Sequence, residues 1–179
     1  MKVITVKHNA PIIVGDYQFA DSLNKEVLSQ LKVCNPIPQG DSNVKASVHT
    51  EWDWQPDNIK FRNFKSFIRE KIETFFKPGS MSGSSQRDRL ECHNFWGNVY
   101  YKGDYARSHC HKPSNFSFAY FVKSKWYHSP LIFSDSGRRI GPKVGRYVAF
   151  PAYMLHHVPK HRYNDSRITL SGNFRIKHS

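Results

Sequence analysis

The chemically suggestive part of the chain opens with two histidines one residue apart, His109 and His111, in "GDYARSHCHKPSNFSFAYF". On an extended strand, residues i and i+2 point to one face, so both imidazoles face the same way and Cys110 faces the other. Neutral imidazole is the commonest protein ligand for divalent transition metals, and two on an inward face can share one ion. Alone, a His-x-His pair is weak evidence in a chain with 10 histidines. A third group changes its meaning. In "GRYVAFPAYMLHHVPKH", a strand of buried character ends at Phe150-Pro151 and delivers His156 just beyond it, while His157 points elsewhere. His109, His111 and His156 then form a facial set of metal ligands that leaves positions open for further ligands and for oxygen. The competing reading of "HHVPKH" is a basic surface turn, which suits His157 and His161 better than His156.

Groups that would hold an organic acid flank this set. Asn98 and Tyr100 share a strand face in "WGNVYYKGDYARSHCH", followed by a turn at Gly103 and then the histidine pair. An amide and a phenol beside a metal can hydrogen-bond a carboxylate or a keto-acid. Arg167 and Thr169 share a face in "RITLSGNF", where a buried guanidinium beside a hydroxyl suits bidentate carboxylate capture. The alternative for Arg167 is a surface charge on an edge strand.

Such a constellation needs strands to position it, and the second half of the chain supplies them. "LECHNFWGNVYY", "ARSHCH", "FSFAYFVK", "PLIFSD", "RYVAFPAYMLHHV" and "RITLSGNFRIK" are short strand patterns separated by Gly, Pro, Asn and Asp turns, the signature of a sandwich or barrel. The first half is different. After an opening strand at Val3 to Val6, "DSLNKEVLSQLKV" repeats Leu23, Val27, Leu28 and Leu31 at helical spacing, with Asp21 or Ser22 as the cap and Asn35-Pro36 as the stop. "IKFRNFKSFIREKIETFFK" places Phe61, Phe64, Ile68, Ile72, Phe75 and Phe76 on one stripe, a helix built to pack on a sheet. "PGSMSGSSQRD", Pro78 to Asp88, is a Gly/Ser-rich break. The expected fold is α+β and mainly β: an antiparallel barrel with two N-terminal helices covering one sheet. The chain reads as a single domain over 1–179, with 1–88 supplying strand, helices and covering loops and 89–179 the barrel core.

Composition narrows the functional classes. A hydrophobic content of 39% with 15% aromatics excludes a disordered chain. No apolar run approaches a membrane span, and the opening residues alternate like a strand and do not form a signal peptide. Cys34, Cys92 and Cys110 are an odd set without framework spacing and read as reduced thiols, so the expected compartment is cytoplasmic. Lys and Arg number 27 against 14 acids, a formal charge of +13, which favours encounter with a polyanion such as nucleic acid.

With these residues in hand, the chain resembles the Fe(II)/2-oxoglutarate-dependent oxygenases. Asn98, Tyr100, Gly103, His109, His111, His156, Arg167 and Thr169 follow the order Asn-x-Tyr-x-x-Gly-x5-His-x-acid, distal His, Arg-x-Ser/Thr of alkylation-repair demethylases and prolyl-hydroxylase-like members. "HCHKPSNFSFAYF", "PLIFSD", "FPAYMLHHV" and "RITLSGNF" are similar, more closely, to the motifs of small oxygenases of phages and marine bacteria. The "SNVKASVHTEWDW" loop is similar to a segment preceding that group's core. The resemblance implies a double-stranded β-helix (jelly roll) of about eight strands. It also implies Fe(II) on His109, His111 and His156. Asn98, Tyr100, Arg167 and Thr169 would bind 2-oxoglutarate, and O2 would oxidise a C–H bond with release of succinate and CO2. The cell would be a bacterium or a phage-infected host.

Two departures from the family pattern bear on activity. His111 stands where the usual triad has a carboxylate, which leaves the iron site one unit more positive. Phe118 replaces a Gly of the family segment and is expected to narrow the pocket. Two other readings remain: a metal-dependent cupin that does not use 2-oxoglutarate, and a non-catalytic barrel that binds a polyanion. Cupins usually add a Glu a few residues past the second His, and positions 115 and 116 are Asn and Phe. The prime substrate is set by loops, expected at Gln39 to Asn58 and Pro78 to Asp88. Trp52 and Trp54 are candidate substrate contacts on one side of an extended segment.

Overall fold

The computed structural model describes residues 10–33, 42–54, 56–76 and 89–177. The expected strand at Val3 to Val6, the helix stop at Asn35-Pro36, Cys34 and the break at Pro78 to Asp88 lie outside them. In chain order the elements are β1 (Ile13–Asp16), α1 (Ala20–Val33), β2 (Val44–Lys45), β3 (Val48–His49), α2 (Ile59–Phe76), β4 (Arg89–Tyr100), β5 (Tyr105–His109), β6 (Phe116–Lys123), β7 (Leu131–Phe133), β8 (Arg139–Ile140), β9 (Arg146–Pro151), β10 (His156–Val158) and β11 (Arg167–Lys177). A six-stranded sheet has the order β1-β9-β6-β11-β4-β3, and a five-stranded sheet the order β2-β5-β10-β7-β8. The eight strands β4 to β11 make the two-sheet jelly roll, and β1, β2 and β3 extend its edges.

Alternation along the long strands sorts side chains between two cores. Residues directly opposite in an antiparallel pair share a face. On the outer face of the large sheet, Phe95, Val99, Phe118, Tyr120, Ile168, Leu170 and Phe174 pack under the helices. On its inner face, Tyr100, Phe121, Val148 and Phe150 meet Ala106, Leu131, Phe133 and Val158 of the small sheet. α2 begins where the Asn58 side-chain oxygen accepts the Lys60 N–H at 2.8 Å, an N-cap that satisfies an orphan donor. Its buried stripe is Phe61, Phe64, Ile68 and Ile72, each side chain contributing about 1.5–3 kcal/mol of transfer free energy. Phe75, expected on that stripe, is exposed, and Phe76 takes the inner position against Phe116. α1 starts at Ala20, so Asp21 lies inside the first turn, where its charge meets the helix dipole, rather than at the cap.

Three further expectations are corrected. The long strand "RYVAFPAYMLHHV" is two strands in different sheets, β9 and β10, joined by a turn through Ala152 and Met154. The segment read as a covering loop contains β2 and β3, which cross from the edge of the small sheet to the edge of the large one. Phe118 does not narrow the pocket. It is on the helix-facing side, against Phe64, Phe95 and Phe174, since Ser117 and Ala119 take the inner positions.

Candidate metal centre

His109 and His156 are directly paired across β5 and β10, with Phe133 of β7 on the other side of His156. His111 follows His109 by two residues, and its backbone N–H donates to the Ala152 carbonyl at 2.8 Å, which pins the segment after β5 to the β9–β10 turn. The three rings converge, with centroid separations of 5.0, 4.5 and 5.0 Å. One ring nitrogen from each lies within 4.8 Å of the others. The remaining nitrogens show how the rings are held. His109 Nδ1–H donates to the Arg107 carbonyl at 2.7 Å and His156 Nδ1–H to the Met154 carbonyl at 2.9 Å. Both tautomers are thereby set with Nε2 free, the arrangement metal-ligating histidines use.

Burial keeps these rings uncharged. Desolvation, with the neighbouring imidazoles adding to it, lowers His111 to about 2 and His156 to about 3, and desolvation also lowers His109. At neutral pH the lone pairs need no deprotonation before they can coordinate. His157 points out of the barrel, with Nδ1 hydrogen-bonded to Ser134 at 3.0 Å. The structure therefore brings together the three histidines singled out by spacing and leaves the adjacent one outside.

Behind this set, Arg167 pairs with Tyr100 and Thr169 with Asn98 across β11 and β4, all four on the inner face and buried. The Arg167 guanidinium lies 4.9 Å from the Tyr100 ring centroid and 5.2 Å from that of Phe121. Arg167 is 2% exposed, yet its Nε and Nη1 have no hydrogen-bond partner, and neither has Asn98 Oδ1. Burial lowers the Arg167 pKa, opposed by the Tyr100 phenol. A buried cation met only by ring faces and a phenol is costly unless an anion completes it. Tyr100, Phe121, Phe133 and Phe150 belong to one apolar cluster, and Phe150 and Phe133 also touch His156, so the arginine and the histidines share a common wall.

Two residues that spacing alone did not single out line the same face. Trp96 precedes Asn98 by two, and its ring lies 5.6 Å from His111. Strand alternation from Asn98 would have found it. His49 of β3 sits opposite Asn98 in the register, and nothing in its local sequence marks it. Trp52 stands between them, 4.8 Å from His49 and 4.6 Å from Trp96. Trp54 turns the other way and packs on Phe61 and Phe95 under α2, because the backbone between the tryptophans is a turn closed by Trp54 N–H to the Glu51 carbonyl.

A second cluster, His128, His161 and Asp165, also brings ligand atoms within 4.8 Å. His161 is buried, not in a surface turn. Here both His128 nitrogens are engaged, whereas His161 keeps a buried Nδ1 without a partner. His128 Nδ1 accepts the Lys125 N–H at 3.2 Å, so Nε2 carries the proton and donates to Asp165 at 3.0 Å. Asp165 also accepts the Tyr127 hydroxyl, and His161 Nε2–H donates to the Asp165 carbonyl.

No family model and no curated protein matches the chain. Solved structures do. A viral collagen prolyl hydroxylase of Paramecium bursaria Chlorella virus-1, in complex with 2-oxoglutarate, superposes with a TM-score of 0.70 at 14% identity, over 93% of this chain and 96% of that one. A prolyl-4-hydroxylase of Pseudomonas putida gives 0.71 at 14% identity, over 94% of each chain. HygX of Streptomyces hygroscopicus, with nickel and 2-oxoglutarate bound, gives 0.61 at 10% identity, over 94% of this chain and 84% of that one. The chain has the fold of the 2-oxoglutarate- and Fe(II)-dependent oxygenases. The double-stranded β-helix expected from the resemblance is the architecture observed.

Proposed function

We propose that the chain is an Fe(II)- and 2-oxoglutarate-dependent oxygenase that hydroxylates a C–H bond of a second substrate. One observation carries the reading: three converging imidazoles and a buried guanidinium with two unpartnered nitrogens share one apolar wall. His109, His111 and His156 would hold the metal, and Arg167, with Thr169, Tyr100 and Asn98 beside it, the far carboxylate of 2-oxoglutarate. When bound, iron and 2-oxoglutarate supply the oxidising equivalents, with O2 as oxidant and succinate and CO2 as products.

The chain's own residues do the rest. The Arg107 and Met154 carbonyls fix the orientation of two ligands before any metal arrives, so little order is lost on binding. Arg167 keeps unpartnered N–H groups available to a carboxylate, and Phe121, Phe133 and Phe150 form an apolar wall beside it. The three-imidazole set brings no charge to a divalent ion. Compared with a two-histidine, one-carboxylate set it leaves the centre one unit more positive, which strengthens its hold on an anionic cosubstrate.

Arg167→Met tests the reading, because it keeps the volume and removes the charge. Titration calorimetry should show metal binding unchanged and 2-oxoglutarate weakened by roughly ten- to a hundredfold, on the order of 1.5–3 kcal/mol. The free protein should melt no lower than the parent, since the variant removes an uncompensated buried charge. Unchanged 2-oxoglutarate affinity, or no charge-transfer band when Fe(II) and 2-oxoglutarate are added anaerobically to the parent, would sink the assignment.

A further inference from the structure

One end of the barrel carries a surface that neither the metal nor 2-oxoglutarate needs. Three connections meet there: residues 101–104 between β4 and β5, 124–130 between β6 and β7, and 159–166 between β10 and β11. Hydrogen bonds join them. The Gly103 N–H donates to the His161 carbonyl at 2.8 Å and the His161 N–H to the Asp104 carbonyl at 2.7 Å. The Tyr127 hydroxyl donates to Asp165 at 3.0 Å and the Ser129 hydroxyl to the Lys160 carbonyl at 3.3 Å. β5 runs from this end at Tyr105 to His109, and β10 returns from His156 to Val158, so the metal-site histidines stand at the opposite end of that pair. Large aromatic side chains are uncovered here: Trp126 is 87% exposed, Tyr101 46% and Tyr163 40%. Behind Trp126 the rings are packed, with Tyr127 5.6 Å from it, Tyr163 4.4 Å from Tyr127, and His128 and His161 against Tyr163. Lys102, Lys125, Lys160 and Arg162 are exposed around them, and none has an ion-pair partner among the described residues. The two acids of these segments are already engaged. Asp104 accepts the Ser47 and Tyr101 N–H groups, and Asp165 accepts from His128 and Tyr127.

We propose that this end docks on an anionic lipid surface, with Trp126 seated among the headgroups and Lys102, Lys125, Lys160 and Arg162 meeting lipid charge. Indole and phenol rings with a polar tip favour the level where apolar and wet regions meet, and clustered Lys and Arg are drawn to anionic headgroups. No helix of the described residues is long and apolar enough to cross a membrane, so the attachment is peripheral. Other occupants fit less well. A second copy would bring the same unpaired cations face to face across a two-fold axis. A protein partner favours Arg over Lys at the core of an interface, and three of these four cations are Lys. A run of unpaired bases needs successive open ring faces, and Tyr127 and Tyr163 are packed on each other. Docking by this end leaves the histidine end turned away from the bilayer.

Sedimentation of the whole metal-free chain at low salt with vesicles of phosphatidylcholine containing about one-third phosphatidylserine tests this. The protein should bind these vesicles, stay in solution with pure phosphatidylcholine, and be released as salt rises. Trp126→Ala should weaken binding roughly ten- to a hundredfold, the range for a large side chain that loses its apolar contact. Lys125→Glu with Arg162→Glu should weaken it by at least about twenty-five-fold, a factor of about five for each charge. Lys25→Glu with Arg138→Glu changes the net charge equally on α1 and on the β7–β8 turn, away from the surface, and should have at most a small effect. Melting curves establish that the variants are folded, and the exposure of Trp126 makes its replacement mild. A loss in that control equal to the Lys125 and Arg162 loss overturns the proposal, since net charge alone would then be acting. Full retention in Trp126→Ala also overturns it, as does absence of binding to the mixed vesicles, which would leave a protein as the occupant. None of these results depends on Fe(II) or 2-oxoglutarate, so failure here is separable from failure of the oxygenase reading.

Discussion

Two histidine clusters lie in the same barrel, and their difference shows what makes one of them a metal site. His109, His111 and His156 converge between the sheets, and His109 and His156 each spend only Nδ1, on a backbone carbonyl. His128, His161 and Asp165 put two imidazoles and a carboxylate at the same spread, but the Lys125 N–H forces the proton of His128 onto Nε2, where it is donated to Asp165. For His128 to join a metal there, that proton and its bond to Asp165 would have to be given up. The saturated His128 ring, more than the count of imidazoles, separates the two. The second cluster has a different use: it ties the loop after β6 to the loop before β11, just behind Arg167, where Lys123 and Ser166 add a further bond of 3.0 Å. It is a brace for the arginine.

Acid should give the largest effect, and it discriminates the clusters. The unfolded chain protonates its histidines near the ordinary value of 6.5, whereas His156 and His111 in the folded chain resist until about 3 and about 2. Between those values the unfolded state binds more protons, so stability falls as pH falls. Each of these two imidazoles contributes up to about 1.4 kcal/mol per pH unit, which should unfold the metal-free protein well before pH 3. His128 is also lowered by burial, but Asp165 opposes the shift, so the brace adds less. Melting temperatures of the metal-free protein across pH 4 to 8 check this; a flat profile below pH 6.5 would contradict it.

Removing a ligand sharpens the same contrast. His156→Ala should weaken Fe(II) binding by more than about a hundredfold, beyond the usual loss from an outer-shell partner. His128→Ala and His161→Ala should each retain one ion per chain. Metal analysis after gel filtration reads all three, and loss of metal in His161→Ala would erase the distinction drawn here. A smaller effect belongs to stability in the brace. His161→Ala deletes a buried ring and its bond to the Asp165 carbonyl, and should lower stability by about 1–3 kcal/mol, a drop of a few degrees in Tm. The least effect is expected from His157→Ala, with metal content unchanged and Tm within experimental error. Its half-buried ring has one hydrogen bond, on the outside of the small sheet.

How much was legible before the fold was known depended on whether a local period carried the information. His109 and His111 fall on one face because strand alternation has period two, and the same rule joins Asn98 to Tyr100 and Arg167 to Thr169. The apolar stripe of α2 follows from helical spacing, as do Leu23 and Val27 of α1. Those readings need no knowledge of neighbours. Phe75 shows where the period stops helping, since Phe75 and Phe76 both fit the stripe and only contact with Phe116 decides which is covered.

What the sequence by itself determined is the inventory and its local facing: two helices, a run of strands, a histidine pair, and an arginine with a hydroxyl beside it. Tertiary structure alone decided which distant groups meet. It moved His156 into the opposite sheet from Phe150, placed Phe118 under the helices, and turned Trp52 and Trp54 to opposite sides. It brought His49, with no local signal, level with Asn98. It also fixed which imidazoles keep a free lone pair. Pairing partners, buried charge and hydrogen-bond saturation belong to contacts between residues far apart in the chain, and no period of two or 3.6 encodes them.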